Sequence, residues 1–345
     1  MGNKTKFITF LMIIVFSIGL YGCKDKKKIE PISRTELFMG TSIKVTLYDY
    51  KNEKVLDKVF DRVIELENLV SINKPNTEID NLNKNSGVRP VNLSEDSFNI
   101  VKKGLEYSKL SEGDYDITIG PLVKLWSIGL PEAKVPNKSE IKESINNINY
   151  SNVYIDENTK EVFLKKKGMM LDLGSIAKGY TADEIAKILK DEGVNSAIID
   201  LGGNIYALGY KEVDKKWKIG VQDPFTDRGN IIGTVAVANK SVVTSGIYER
   251  YIEDNGKKYH HILNPKTGYP YETNIAGVSI ISDKSIDGDA LSTLVFTKGL
   301  EKGLEFINKL DGVDAIFIMN NKNVYITDGI REDFKIINDN YKLVN

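Results

Sequence analysis

The sequence predicts an α+β fold of mixed, largely antiparallel sheets with packed helices, and three observations carry that expectation. Strand-like and helix-like segments are mingled without the regular β–α–β period of a parallel sheet. Turn signals at Asp156–Lys160, Gly202–Gly203 and Asn320–Lys322 each separate two short apolar runs, the pattern of antiparallel hairpins. After the first thirty or so residues there is no heptad run, low-complexity tract or tandem repeat, so one large domain or two intimate ones is expected.

Each element has its own justification. Residues 36–48 alternate through Ile43, Val45 and Leu47, which reads as a strand. Residues 53–70 place Val55, Val59, Ile64, Leu66 and Leu69 at helical spacing. The polar stretch from Ser71 to Asn83, with Pro75, reads as a loop running into a short helix. Ser94 suits the N-cap of a helix ending near Ser111. Gly113 to Pro136 is punctuated by glycine and proline and reads as a long functional loop. Residues 152–173 suggest short strands, and 175–191 a helix closed by Gly193. Strands follow at 196–201 and 204–209, then at 216–222, 231–238 and 275–282. Helices at 284–297 and 299–309 and strands at 313–319 and 323–327 complete the reading.

The first residues stand apart from this pattern. Lys4 and Lys6 precede an apolar run from Phe7 to Leu20, too short for a spanning helix of roughly 20 apolar residues and suited to a signal peptide. The run ends in Leu20-Tyr21-Gly22-Cys23, which resembles the lipobox of bacterial lipoproteins. That resemblance implies lipidation of Cys23 and a mature chain that begins there; the bland alternative is a buried free cysteine beside a membrane anchor. Residues 1–22 would then be a signal peptide, 23–33 a lipidated tether containing Lys24-Asp25-Lys26-Lys27-Lys28, and 34–335 the folded domain. Two acyl chains anchor stably, so the lysines add only a secondary attraction to anionic lipid. The expected location is the extracytoplasmic face of the cell membrane. Cys23 is the only cysteine, so no disulfide forms within the chain. Without residues 1–22 the chain holds 45 basic and 48 acidic residues, a net of −3, which gives no support for nucleic-acid binding.

Six stretches break the core-and-surface pattern by placing glycine or a helix start beside charged and hydroxyl residues. They are Met39-Gly40-Thr41, Asp114 to Pro121, Leu171 to Gly179, Thr244-Ser245-Gly246, His260 to Gly268, and Asp287 to Thr293. Glycine admits close backbone approach to a ligand, and helix starts attract anions. Asp289 and Thr293 are four apart, so a carboxylate and a hydroxyl share one helical face and suit a hard cation. His261 titrates naturally near neutrality. Each residue also has a plainer reading. His260 and His261 fit a solvated pair, Asp289 a helix-start charge, Lys178 a surface lysine, and Met39 a core residue. Trp126 and Trp217 read as packing residues, and Gly202-Gly203-Asn204 as a tight turn.

Taken in order, these stretches resemble the ApbE family of FAD:protein FMN transferases, across residues 34–330. The most specific matches are Asp172–Gly179, the run His-His-Ile-Leu-Asn-Pro-Lys-Thr-Gly, and Asp-Ala-Leu-Ser-Thr at 289–293. The resemblance implies an ApbE-like fold and FAD as substrate. It also implies attack by a Thr or Ser hydroxyl of a partner on the FMN-side phosphorus, with release of AMP. It implies Mg2+ held by Asp289, Thr293 and the Ser175 carbonyl, with His261 taking or orienting the hydroxyl proton. Asp172 and Lys178 match positions that contact FAD; Met39, Ile262 and Asp114-Tyr115-Asp116 match positions near the flavin and adenosine. The implied acceptor is an exported or membrane redox protein. One departure stands out: Asn73 occupies a place where the family often has tyrosine, which opens the site to water. A Mg-dependent FAD diphosphatase yielding FMN and AMP is therefore an alternative, as is a non-catalytic FAD-binding lipoprotein. A transporter's solute-binding lipoprotein would need two hinged lobes, which the ordered motifs disfavour.

Overall fold

The computed structural model describes residues 30–50 and 52–345. The expected signal peptide, Cys23 and residues 24–29 of the expected tether lie outside the described residues. Among the described residues no helix is long and apolar enough to cross a membrane.

The chain opens with β1 (Ile32–Phe38) and β2 (Thr41–Leu47), paired along their full length. The single strand expected over 36–48 is therefore a hairpin. Its two connecting residues, Met39 (φ 53°) and Gly40 (φ 70°), are both left-handed, the geometry that matches the twist of the flanking strands. Next come α1 (Lys54–Val70), α2 (Glu78–Lys84), β3 (Val91–Asn92), α3 (Glu95–Leu110), α4 (Gly120–Trp126) and α5 (Lys138–Ile145). The hairpin β4 (Val153–Asp156) and β5 (Glu161–Leu164) leads to α6 (Ala177–Asp191). Six strands follow: β6 (Ser196–Leu201), β7 (Asn204–Gly209), β8 (Trp217–Gln222), β9 (Ile231–Val237), β10 (Lys240–Gly246) and β11 (Tyr251–Asp254). The remainder is β12 (Lys257–His260), β13 (Ile275–Ser282), α7 (Ser285–Lys298), α8 (Leu300–Ile307), β14 (Asp314–Met319), β15 (Asn323–Ile326), β16 (Phe334–Ile336) and β17 (Lys342–Leu343). Regular structure thus runs past 34–335 at both ends, because β1 pairs along its whole length and β17 adds to β15.

Nine strands form the central sheet in the order β1-β2-β6-β7-β10-β13-β14-β15-β17. Every neighbouring pair is antiparallel except β15 with β17, so the fold is α+β as the turn signals required. Alternation sorts the two faces. Ala315 and Phe317 of β14 join the core beneath α7, whereas Ile316 and Ile318 face a second layer, the three-stranded sheet β16-β9-β8. Strand β13 is covered on both sides and buried at all eight positions. It has no polar face, as expected of a central strand between two layers.

Helix α1 buries Val55, Leu56, Val59, Phe60, Val63, Leu66 and Val70 at i, i+3/i+4 spacing; the first five pack with β2, β6 and α6, and Val70 joins the core beneath α7. Full burial of such side chains is worth about 1.5–3 kcal/mol each, which sets α1 firmly on the sheet. Arg62 on its flank joins α3 and α6, donating to Asp96 at 2.5 Å and Glu184 at 2.7 Å. The stretch expected as one long loop, 113–136, contains α4, whose Pro121 suits a helix start and whose Leu122 and Trp126 fill a small satellite core. Helix α5 starts at a reciprocal capping box formed by Asn137 and Glu140.

Candidate active site

The candidate residues begin where the start of α6 packs against the first turns of α7, which in turn lie on β10. Asp289 on α7 is only 4% exposed and is held by α6: the Gly179 N–H donates to its Oδ2 at 2.9 Å and Lys178 Nζ to its Oδ1 at 3.2 Å. Gly179 lies in the first turn of α6, whose N–H groups have no carbonyl partner within the helix, and Asp289 satisfies this one. Ser175 stands just ahead of the helix, before its cap Ile176. The Thr293 hydroxyl faces Ser245 Oγ at 3.4 Å, and Ser245 shares a 2.7 Å hydrogen bond with Ser292. Among the described residues no group of three or more His, Cys, Asp or Glu side chains gathers. A cation bound here would take one carboxylate and neutral oxygens, a donor set for magnesium or calcium rather than zinc, and the three residues expected from sequence fit it.

The two histidines have different environments. His260 is buried; its Nδ1 accepts the Ile262 N–H at 3.3 Å, so its Nε2–H donates to the Tyr271 carbonyl at 2.9 Å. Both nitrogens are consumed, and burial pushes its pKa down. His261 is half-buried. Its backbone N–H and Nδ1 both meet the Arg250 carbonyl, at 3.1 and 3.2 Å. A carbonyl only accepts, so Nδ1 carries the proton and Nε2 keeps its lone pair. Enclosure, reinforced by the positive charge of Arg250, pushes the His261 pKa down to about 4, so the imidazole is neutral at physiological pH.

Asp172 is half-buried, with Oδ1 accepting the Gly174 N–H at 2.9 Å. Burial raises its carboxyl, while Arg250, Lys124 and Lys178 pull it back down. The three cations act on it through charge alone, none of them pairing with it directly. Ser175 Oγ donates to the Tyr115 hydroxyl at 3.0 Å, which fixes the start of α6 against the acidic turn. Asp114 pairs with Lys266 at 2.6 Å, and its carbonyl accepts from the Tyr271 hydroxyl at 2.9 Å, so that turn is tied to the 260–271 segment. Asp116 is turned inward: its carboxylate accepts from the Thr118 N–H and hydroxyl and from the Tyr150 N–H. Ile262 is buried in the main core and supports the site from below. Met39 is half-buried at its tight turn, with its N–H on Glu67 at 2.6 Å and its sulfur 3.5 Å from the Thr181 hydroxyl. Asn73 is exposed on the rim and accepts from Lys124 at 3.1 Å.

Sequence reasoning missed Arg250, Lys124 and Tyr271. Arg250 and His261 flank the hairpin β11–β12, whose tip is Asn255-Gly256 and which, among the described residues, pairs with no other strand. The nearest signal was position, since Arg250 lies between the Thr244-Ser245-Gly246 and His260–Gly268 stretches.

An α+β fold that sets Lys178 on Asp289 and holds a neutral His261 against the Arg250 carbonyl has the makings of an enzyme site. Comparison with known proteins then fixes the family. The ApbE family profile matches residues 39–317. The FAD:protein FMN transferase of Klebsiella pneumoniae is 36% identical over 313 residues, covering 91% of this chain and 97% of that one. The FAD:protein FMN transferase of Treponema pallidum is 33% identical, covering 96% of each. The crystal structure of the ApbE protein of Thermotoga maritima superposes with a TM-score of 0.80 at 28% identity, over 88% of this chain and 99% of that one. The chain belongs to the ApbE family.

Proposed function

We propose that this protein is a flavin transferase that moves FMN from FAD to a Thr or Ser hydroxyl of a target protein and releases AMP. The observation that supports this most is His261, whose Nε2 is left unprotonated by the contact of Nδ1 with the Arg250 carbonyl, together with the positive charges of Arg250, Lys124 and Lys178 that act on Asp172. The acceptor oxygen attacks the FMN-side phosphorus, the bond from that phosphorus to the oxygen of the AMP phosphate breaks, and the hydroxyl proton passes to His261 Nε2. The Arg250 carbonyl holds the imidazole in the tautomer this needs and stabilises the imidazolium that forms. Lys178 lies beside the Ser175–Asp289 corner, where it can meet phosphoryl oxygens. Asp289, Thr293 and the Ser175 carbonyl would hold a magnesium ion, which when bound neutralises charge on those oxygens. Family membership and the relatives' activity support FAD as the donor.

A second reading rests on Asn73. An exposed amide at the rim, bound to Lys124, leaves the entrance open to water, and water in place of the hydroxyl gives FMN and AMP. Lipidation at Cys23 would hold either activity at the extracytoplasmic face of the cell membrane, where an exported or membrane redox protein would be the acceptor. Intact-mass measurement of candidate acceptors after mixing with FAD and magnesium tests these readings together. An FMN adduct on Thr or Ser with matching AMP supports transfer. AMP without an adduct points to the diphosphatase, and bound FAD without AMP refutes both.

A further inference from the structure

Arg250 is built into the site in an unusual way. Its side chain is exposed, and its Nη2 donates to the Gly40 carbonyl at 3.2 Å, across 210 residues of sequence. The side chain runs between two glycines. A Cβ at Gly40 would stand 3.3 Å from Nη2, and one at Gly129 would stand 3.1 Å from Cδ. Arg34, Arg62, Arg228 and Arg331 each pair with a carboxylate. The Arg250 guanidinium has no such pair among the described residues; a neutral carbonyl orients it and leaves its charge unspent. That charge acts on both Asp172 and His261.

We propose that Arg250 is the residue that reads the diphosphate of the flavin nucleotide, its guanidinium forking onto phosphate oxygens while its own carbonyl sets the tautomer of His261. The inference rests on the flavin-transferase reading for the identity of the ligand, though not for the phosphate chemistry. A guanidinium offers several donors in a planar fork, which suits two phosphate oxygens at once. One NH on Gly40 fixes the plane and leaves the other donors to the ligand. Phosphate recognition and placement of the base then reside on one residue, through its side chain and main chain respectively.

Because the carbonyl survives any substitution, the two roles separate. Arg250→Ala and Arg250→Lys are compared with the unaltered protein by calorimetric titration with FAD, inorganic pyrophosphate and riboflavin, each with magnesium. The expected result is at least a tenfold weaker Kd for FAD and pyrophosphate in Arg250→Ala, partial recovery in Arg250→Lys, and unchanged riboflavin affinity. At saturating FAD, the acid limb of the AMP-release pH profile moves upward in Arg250→Ala, where the charge that helps lower the His261 pKa is gone, and stays in place in Arg250→Lys. Equal loss of riboflavin affinity would show that Arg250 is only a strut for the Met39–Gly40 turn and would overturn the proposal, as would unchanged pyrophosphate affinity. Failure of the unaltered protein to bind FAD while pyrophosphate still binds through Arg250 would refute the flavin reading and leave this inference standing.

Discussion

Asp183 on α6 grips the first residues of α7: its two carboxylate oxygens accept the backbone N–H groups of Ser285 at 2.7 Å and Ile286 at 2.9 Å. The helix that carries Asp289 and Thr293 is thus capped by its neighbour, since its own N-cap residue, Lys284, supplies no acceptor. Asp183→Ala strands two helix-start donors and should destabilise the protein by about 1–3 kcal/mol. Burial lifts the Asp183 carboxyl from 3.8 to about 6. Between those values the folded chain holds a proton that the unfolded chain has released. The group's contribution is therefore fully present below the lower value and is lost as pH rises through the upper one. Subtracting the unfolding free energy of Asp183→Asn from that of the unaltered protein, over this range, should give a curve that falls with pH. A level curve contradicts the assignment.

Gly179 sits where α6 crosses α7. A Cβ there would stand 2.3 Å from the Ser285 carbonyl oxygen and 2.7 Å from the Ile286 Cα, both backbone atoms that cannot swing aside. Gly179→Ala should cost about 1–3 kcal/mol through overpacking and lengthen the Gly179–Asp289 hydrogen bond. Thermal unfolding reads the first effect. The magnesium concentration for half-maximal AMP release reads the second, and an unchanged value would mean that the crossing does not set the Asp289 corner.

His261→Ala should lower AMP release from FAD by about 10²–10⁴-fold with little change in FAD affinity, the signature of a lost base. With its pKa held near 4, His261 is already deprotonated at neutral pH, so kcat/KM should lose activity on the acid side only as pH approaches about 4. An acid limb near the ordinary histidine value of 6.5 would contradict the enclosed environment.

Removing divalent cations with a chelator should abolish AMP release, and magnesium should restore it. Asp289→Asn should need at least about tenfold more magnesium, because a neutral amide oxygen replaces the only carboxylate of the set. Activity that survives chelation would remove the cation from the reaction.

The parts legible in the sequence are those whose signal is local. Ile43, Val45 and Leu47 announce a strand by alternation, and Ser94 announces a helix by its cap, accepting from the Ser97 N–H. The site stretches stood out because glycines and acids gather at element ends, and the structure joins Lys178 to Asp289 and Thr293 to Ser245. The β1–β2 turn was hidden because its first residue, Met39, is left-handed without being glycine, asparagine or aspartate. Arg250 and Asp183 were hidden for another reason. Each looks like an ordinary surface charge, and each acquires its role from a partner more than a hundred residues away. Asp116 is the reverse case: prominent in sequence, yet spent on holding its own loop.

The Tyr251–His260 hairpin enters from Arg250 and returns at His261, and its strands borrow no hydrogen bond from the main sheet. It is therefore a cassette. Lengthening it by one residue on each strand, or exchanging its Asn255-Gly256 tip, leaves the Arg250–His261 junction and the register of all nine sheet strands untouched. Within one fold, the outer reach of this finger can drift to suit new protein surfaces while the chemistry at its base stays fixed.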